Sequence, residues 1–183
     1  MIQLRFVTDL GGDFISWAIR GAELGFWASH VEAVKPDGSA YLGARAGSGV
    51  QWAPKGYDAK YHTVEQLIDV PATDAQTVSF WAFLEAQIGA AYDDDIIKGF
   101  AAGMLLGQRD WHAPGAWICS ELQAAALEAA GVLRPFPQGK LYITPESLLT
   151  AISQITDLPP PPPDAHIFIA EAAPAKPVSL LQP

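Results

Sequence analysis

Most of the first six dozen residues read as strands. Ile2 to Val7 alternates apolar and polar side chains, the pattern of a half-buried strand. Gly11-Gly12 then turns the chain, and Asp13 is placed to cap a helix over 14–20 with Phe14, Trp17 and Ala18 on one face. A further stretch runs from Phe26 to Val34, followed by Lys35-Pro36-Asp37-Gly38 and then Ser39 to Arg45. Proline fixes φ and glycine accepts a positive φ, so this stretch predicts a β-hairpin with His30 at the start of its first strand. Gly47, Ser48 and Gly49 make the next turn, after which Val50 to Ala53 continues the sheet. Tyr61 to Val70 reads as another strand, although Val64 to Leu67 also fits a helical turn.

Beyond residue 72 the pattern turns helical. Thr73 and Gln76 have the spacing of a capping box, opening a helix to about Ile88 with Val78, Trp81, Ala82, Leu84 and Ile88 as its core face. Asp93-Asp94-Asp95 places negative charge at the start of a second helix, reaching about Leu106. Pro114-Gly115 ends whatever precedes it, and the alanine-rich run that follows forms a helix stopped by Gly131. Thr144-Pro145-Glu146 opens a last helix to about Ile155. Together these elements make an α+β domain over 1–157. The five prolines Pro159 to Pro163 then begin an extended tail, 158–183, in which His166 to Ala170 has strand character. A strand of that kind pairs its backbone by adding to the sheet edge of a protein partner, so the tail is expected to dock on one.

Composition narrows the function. Half of the 183 residues are hydrophobic, 17% are charged, and the net charge is −9. So acidic a chain is unsuited to nucleic acid or to electrostatic docking on anionic membranes. A single cysteine excludes an internal disulfide and a cysteine-based zinc site, and no metal or cofactor is expected. Gly103 and Gly107 lack the Lys-Ser/Thr that a phosphate loop needs. No apolar run approaches the roughly 18 residues of a membrane span. The N-terminus lacks signal-peptide regions, which predicts synthesis in the cytoplasm.

The cysteine is Cys119, at the start of the alanine-rich helix. Free backbone N–H groups and the helix dipole there favour thiolate, the nucleophilic form. A buried core cysteine would fit the same segment. A nucleophile needs a base, and there are four histidines. His166 lies in the tail, His112 in the loop before Cys119, and His62 at a strand start beside Tyr61. His30 has the best setting, at a strand start followed by apolar Val31, Ala33 and Val34.

Ser29-His30-Val31, the Pro-Asp-Gly hairpin and Trp117-Ile118-Cys119-Ser120-Glu121-Leu122 together resemble the circularly permuted NlpC-type papain-like cysteine hydrolases, the YiiX/YebB-like branch, in which the histidine precedes the cysteine. The resemblance covers about residues 1 to 155. It implies a permuted papain-like fold, a small antiparallel sheet packed against helices including the cysteine helix. It implies Cys119 as nucleophile and His30 as base. It also implies Tyr92, in Gly89-Ala90-Ala91-Tyr92-Asp93, as an oxyanion or substrate contact. The implied activity is cleavage of an amide bond, with the peptide of cell-wall peptidoglycan as substrate. Similar permuted domains are encoded among phage tail genes, which suggests a virion tail tip as the tail's partner and the protein's location. The alternative is a structural or binding module of such an assembly with a degenerate site.

The chain departs from that family at the residue that orients the imidazole. Where the family has a polar acceptor, Tyr41-Leu42-Gly43-Ala44-Arg45-Ala46 offers only Arg45, which cannot accept a hydrogen bond. Glu32 is the substitute, two residues past His30 on the same strand face and about 7 Å along it. An exposed charge on an edge strand would account for Glu32 equally well. Trp27, Trp111 and Trp117 flank the site residues, as core packing or as aromatic walls of a substrate groove.

Overall fold

The computed structural model describes residues 1–9, 26–93, 115–136 and 143–162. The expected helices over 14–20 and 94–106, His112, Trp111 and the segment His166 to Ala170 lie outside the described residues.

Five antiparallel strands form the main sheet: β1 (Ile2–Asp9), β2 (His30–Val34), β3 (Ala40–Arg45), β4 (Gly49–Pro54) and β5 (His62–Val70). Their order is β4-β3-β2-β1-β5, so the N-terminal strand lies inside the sheet, between β2 and β5. The hairpin forms where the Pro36-Asp37-Gly38 turn places it. Gly38 takes φ +69° there, and Asp37 Oδ1 accepts the Ser39 N–H at 2.9 Å. Register aligns Leu4 with Ala33 and with Ile68, and Ala33 with Leu42, giving one buried apolar row across four strands. Side chains alternate along a strand, so the next row, Arg5 opposite Glu32, lies on the other face. Residues 64–67 are strand throughout, which settles the ambiguity in that stretch.

Three helices are present among the described residues: α1 (Asp74–Ala86), α2 (Cys119–Ala129) and α3 (Pro145–Ile152). The architecture is α+β, as expected. The Cys119 helix α2 packs on β2 and β3 and is flanked by α1 and α3. Thr73 and Gln76 make both bonds of the capping box. Thr144 does the same with Ser147, ahead of Pro145 at the first helical position.

The buried face of α1 corrects the expected one. Phe80 and Leu84 are fully buried, while Val78 is 69% and Ile88 46% exposed, and Ala82 is exposed as well. Val78, Phe80, Trp81, Ala82, Phe83 and Leu84 put apolar groups nearly all round this helix, so periodicity alone selects no side. Packing against α2 makes the choice.

Two short strands, β6 (Ala91–Tyr92) and β7 (Ala116–Trp117), pair in parallel just before Cys119. The chain at 89–90 is fastened to the start of β4, where Val50 N–H donates to Ala90 O and Gly89 N–H to Val50 O, both at 2.9 Å. Gly49 sits at φ +71°, and a β-carbon there would stand 2.2 Å from Ala90 O. Gly49→Ala is therefore expected to cost about 2–4 kcal/mol, from left-handed backbone strain plus the clash. Urea unfolding should show a lowered midpoint, and an unchanged midpoint would mean that the 89–92 segment is not held against β4.

The start of the tail is attached to the domain. The Gln66 side-chain amide on β5 donates to Pro159 O at 3.2 Å and Pro160 O at 2.8 Å, and Leu158 packs against the core. The first prolines therefore lie on the sheet before the chain can lead away from it.

Candidate active site

Cys119 is the first residue of α2, and the residue before it, Ile118, takes the N-cap position. Isoleucine offers no side-chain acceptor, and no side chain caps this helix. The uncapped first turn forgoes about 1 kcal/mol of the stabilisation that a serine or aspartate would supply. It leaves first-turn N–H groups without a side-chain cap, the arrangement that suits developing negative charge. Cys119 is 1% exposed and packed in the core cluster.

His30, the first residue of β2, is the hydrogen-bond partner of Cys119. Its Nε2 lies 3.2 Å from Glu32 Oε1. That Nε2–Oε1 contact has the distance of an ion pair without the alignment of a hydrogen bond. Burial of the imidazole lowers its pKa. The charge and hydrogen bond of Cys119, followed by the close carboxylate of Glu32, outweigh burial and hold it at about 10. The histidine is thus an imidazolium at neutral pH, held opposite the Cys119 sulfur.

Glu32 is not an exposed edge charge. It is 0% exposed on β2, which lies between β3 and β1. Burial pushes its carboxyl up. The close approach and charge of His30, then the charges of Arg45 and Arg5, more than reverse this and hold it at about 2. Oε2 accepts from Arg5 Nη1 at 3.0 Å. Oε1 accepts from Arg45 Nη2 and, at 3.0 Å, from the Tyr57 hydroxyl. Gly43 on β3 leaves room for this carboxylate, since a β-carbon there would stand 3.2 Å from Glu32 Cγ. Arg45 cannot accept a proton from His30, but as a donor it fixes the residue that can.

Behind Glu32 the polar layer continues. Arg5, 1% exposed, also donates to Asp58 at 2.8 Å and Glu65 at 2.5 Å, and its guanidinium lies 4.5 Å over the Tyr41 ring. Arg5, Tyr57 and Asp58 have no counterpart among the residues that the sequence singled out. The available signal was an arginine in the middle of a strand whose neighbours, Leu4 and Phe6, are core residues.

Tyr92 lies on β6. It pairs in register with Trp117, two residues before Cys119, and the next N–H, that of Asp93, donates to Trp117 O at 3.1 Å. Trp117 is half-buried, with its Nε1 donating to Gln87 Oε1 at 3.0 Å and its ring edge-on to Phe83. Trp27 is a core residue, 6% exposed, and forms no groove wall. Within α2, burial together with the negative charge of Asp93 raises Glu121 to about 7. The side chain of His62 lies outside the described residues. Among the described residues no group of three histidine, cysteine or acidic side chains is arranged to hold a metal ion. No described helix is long and apolar enough to cross a membrane.

The arrangement sets a thiol, an imidazole and a buried carboxylate in series, from α2 to β2, with guanidinium groups from β1 and β3 behind them. No protein-family model matches the chain, and no curated protein matches its sequence.

Proposed function

We propose that the protein is a cysteine hydrolase that cleaves an amide bond through a thioacyl intermediate, with Cys119 as nucleophile and His30 as base and acid. The observation that carries this reading is the Cys119–His30 pair at an uncapped helix start, with buried Glu32 against the other side of the imidazole. His30 holds the thiol proton, and the sulfur attacks the scissile carbonyl carbon. The carbonyl electrons move to oxygen, where first-turn N–H groups of α2 receive the charge. The intermediate collapses as the C–N bond breaks and His30 gives its proton to the departing amine. Water, deprotonated by His30, then attacks the thioester. The S–C bond breaks, releasing the carboxylic acid and returning the thiol.

Glu32 is the orienting residue, taking the place of the acceptor that the resembled family carries on the following strand. A buried carboxylate in that place supports a live site over a degenerate binding module. The permuted papain-like topology, the cell-wall peptide as substrate, Tyr92 as oxyanion or substrate contact and a phage tail tip as the partner of 158–183 belong to this proposal through the family resemblance.

Reactivity of the thiol with iodoacetamide against pH tests the pair directly. Alkylation should already be fast at pH 6, where an ordinary cysteine of pKa about 8.5 is almost wholly protonated. His30→Gln should slow alkylation at pH 6 by about 10-fold or more, because the paired cation is gone. A wild-type thiol that reacts only above pH 8, with no effect of the His30 variant, would leave the binding-module reading standing.

A further inference from the structure

The oblique contact between His30 and Glu32 has a cause in the donors already on that oxygen. A carboxylate oxygen offers two lone-pair directions. Glu32 Oε1 receives the Arg45 guanidinium and the Tyr57 hydroxyl, and His30 Nε2 approaches the same atom as a third donor, without hydrogen-bond alignment. Both competing donors are themselves held. Arg45 Nη1 donates to Gln51 O at 3.0 Å, and its guanidinium stacks 4.5 Å over the Tyr57 ring, so neither swings away at little cost. Oε2 is taken by Arg5, which Asp58 and Glu65 hold from the far side.

We infer that Arg45 and Tyr57 are positioning residues that act through Glu32: by occupying Oε1 they hold the carboxylate beside His30 while limiting its grip on the ring. The inference rests on the hydrolase reading and deepens it. A histidine that must return its proton to a leaving amine works best when the imidazolium is not locked by its partner carboxylate, because acid strength and proton availability have to balance near the working pH. A free, fully charged Glu32 in this buried layer would bind the imidazolium too tightly. Two donors on Oε1 share out that charge.

The groups facing Glu32 set the expected signs. They are His30 on its own strand, Arg5 from β1, Arg45 from β3 and Tyr57 from the loop after β4, with Asp58, Glu65 and Tyr41 around Arg5 behind it. Tyr57→Phe removes one donor, keeps the ring under Arg45 and changes no charge at neutral pH. Arg45→Met removes a donor and a positive charge. Each releases Oε1 to His30, so each should move the His30 titration upward, by about half a unit for Tyr57→Phe and about one unit for Arg45→Met. Glu32→Gln should move it downward.

The experiment is an NMR titration of the imidazole Cε1–H signals in the full-length protein, with His30 assigned by its loss in His30→Gln. Iodoacetamide alkylation of Cys119 is followed on the same samples. Upward shifts in both Oε1-donor variants, opposite in sign to Glu32→Gln, support the inference, and a loss of packing alone would not produce that pattern. Should Arg45→Met fail to fold, Tyr57→Phe decides alone. With wild-type Cys119 reactive at pH 6, an unmoved or lowered His30 titration in Tyr57→Phe overturns this inference only. A wild-type His30 titrating near its ordinary value, beside an inert Cys119, overturns the hydrolase reading and this inference with it.

Discussion

Cys119→Ala is expected to abolish amide hydrolysis, by about 10⁴-fold or more, while the protein stays folded. Loss of a nucleophile removes the covalent route altogether, and what remains is substrate binding plus the N–H groups of the α2 start. The structural cost is small by comparison. Cys119 is buried among apolar neighbours, and alanine deletes one sulfur there, worth about 1 kcal/mol of packing. The same variant carries a second signature. His30 is raised to about 10 against burial, chiefly by the charge and hydrogen bond of Cys119. A group raised in the folded state contributes stability that is complete below its unfolded value of 6.5 and is lost as pH rises through its folded value. Wild-type stability should therefore decline between about pH 6.5 and pH 10, and Cys119→Ala should flatten that decline. Turnover of a peptide amide and urea midpoints across this pH range measure both effects. Unchanged turnover in the alanine variant would remove Cys119 from the mechanism, whatever the titration shows.

Local signals in the sequence proved sufficient wherever the cause of structure is local. The Pro36-Asp37-Gly38 turn, the Thr73 and Thr144 caps and the glycine stop at Gly131, which takes φ +64°, all depend on a few neighbouring residues, and all are where the pattern predicts them. Cys119 at a helix start is legible for the same reason. The last helix ends at Ile152, three residues short of the expected Ile155, within the usual fraying of helix ends. The polar layer under His30 is of another kind. It exists because β1 enters the sheet between β2 and β5, which sets Arg5 opposite Glu32 across a distance of 27 residues. Periodicity places Arg5 on the polar side of a strand and says nothing of which strands flank it. Arg45 shows the same gap more sharply. Judged as an acceptor it is useless to His30, and its part is visible only once Glu32 is known to lie within its reach. Strand order, a long-range property, turned an apparent defect of the site into its support.

Glu32→Gln should be the most destabilising substitution in the polar layer, costing about 3–5 kcal/mol. The carboxylate is fully buried and neutralises parts of Arg5, Arg45 and His30 together. Its removal leaves cationic groups facing one another in a buried site, and breaking a buried pair from one side carries a penalty of that order. Arg5 keeps Asp58 and Glu65, so its loss is partial. Arg45 keeps only the Gln51 carbonyl and the face of Tyr57 among its described partners, so most of the cost falls on the β3 side of the site. The pH dependence separates this account from a simple packing defect. Glu32 is lowered from 4.5 to about 2, so its contribution is complete above about pH 4.5 and is lost as pH falls through 2. The glutamine variant has no carboxyl to protonate, and its deficit relative to wild type should shrink steadily as pH drops from 5 toward 2. On the alkaline side the sign reverses in origin. The variant's His30, released from a carboxylate, loses its proton at lower pH than in wild type, so the decline above pH 6.5 should be shallower and end at lower pH. Urea midpoints at pH 3, 5, 7 and 9 give the full comparison. A deficit that stays constant from pH 3 to pH 9 would mean that Glu32 serves as volume in the sheet, and the ion-pair account of the site would fail.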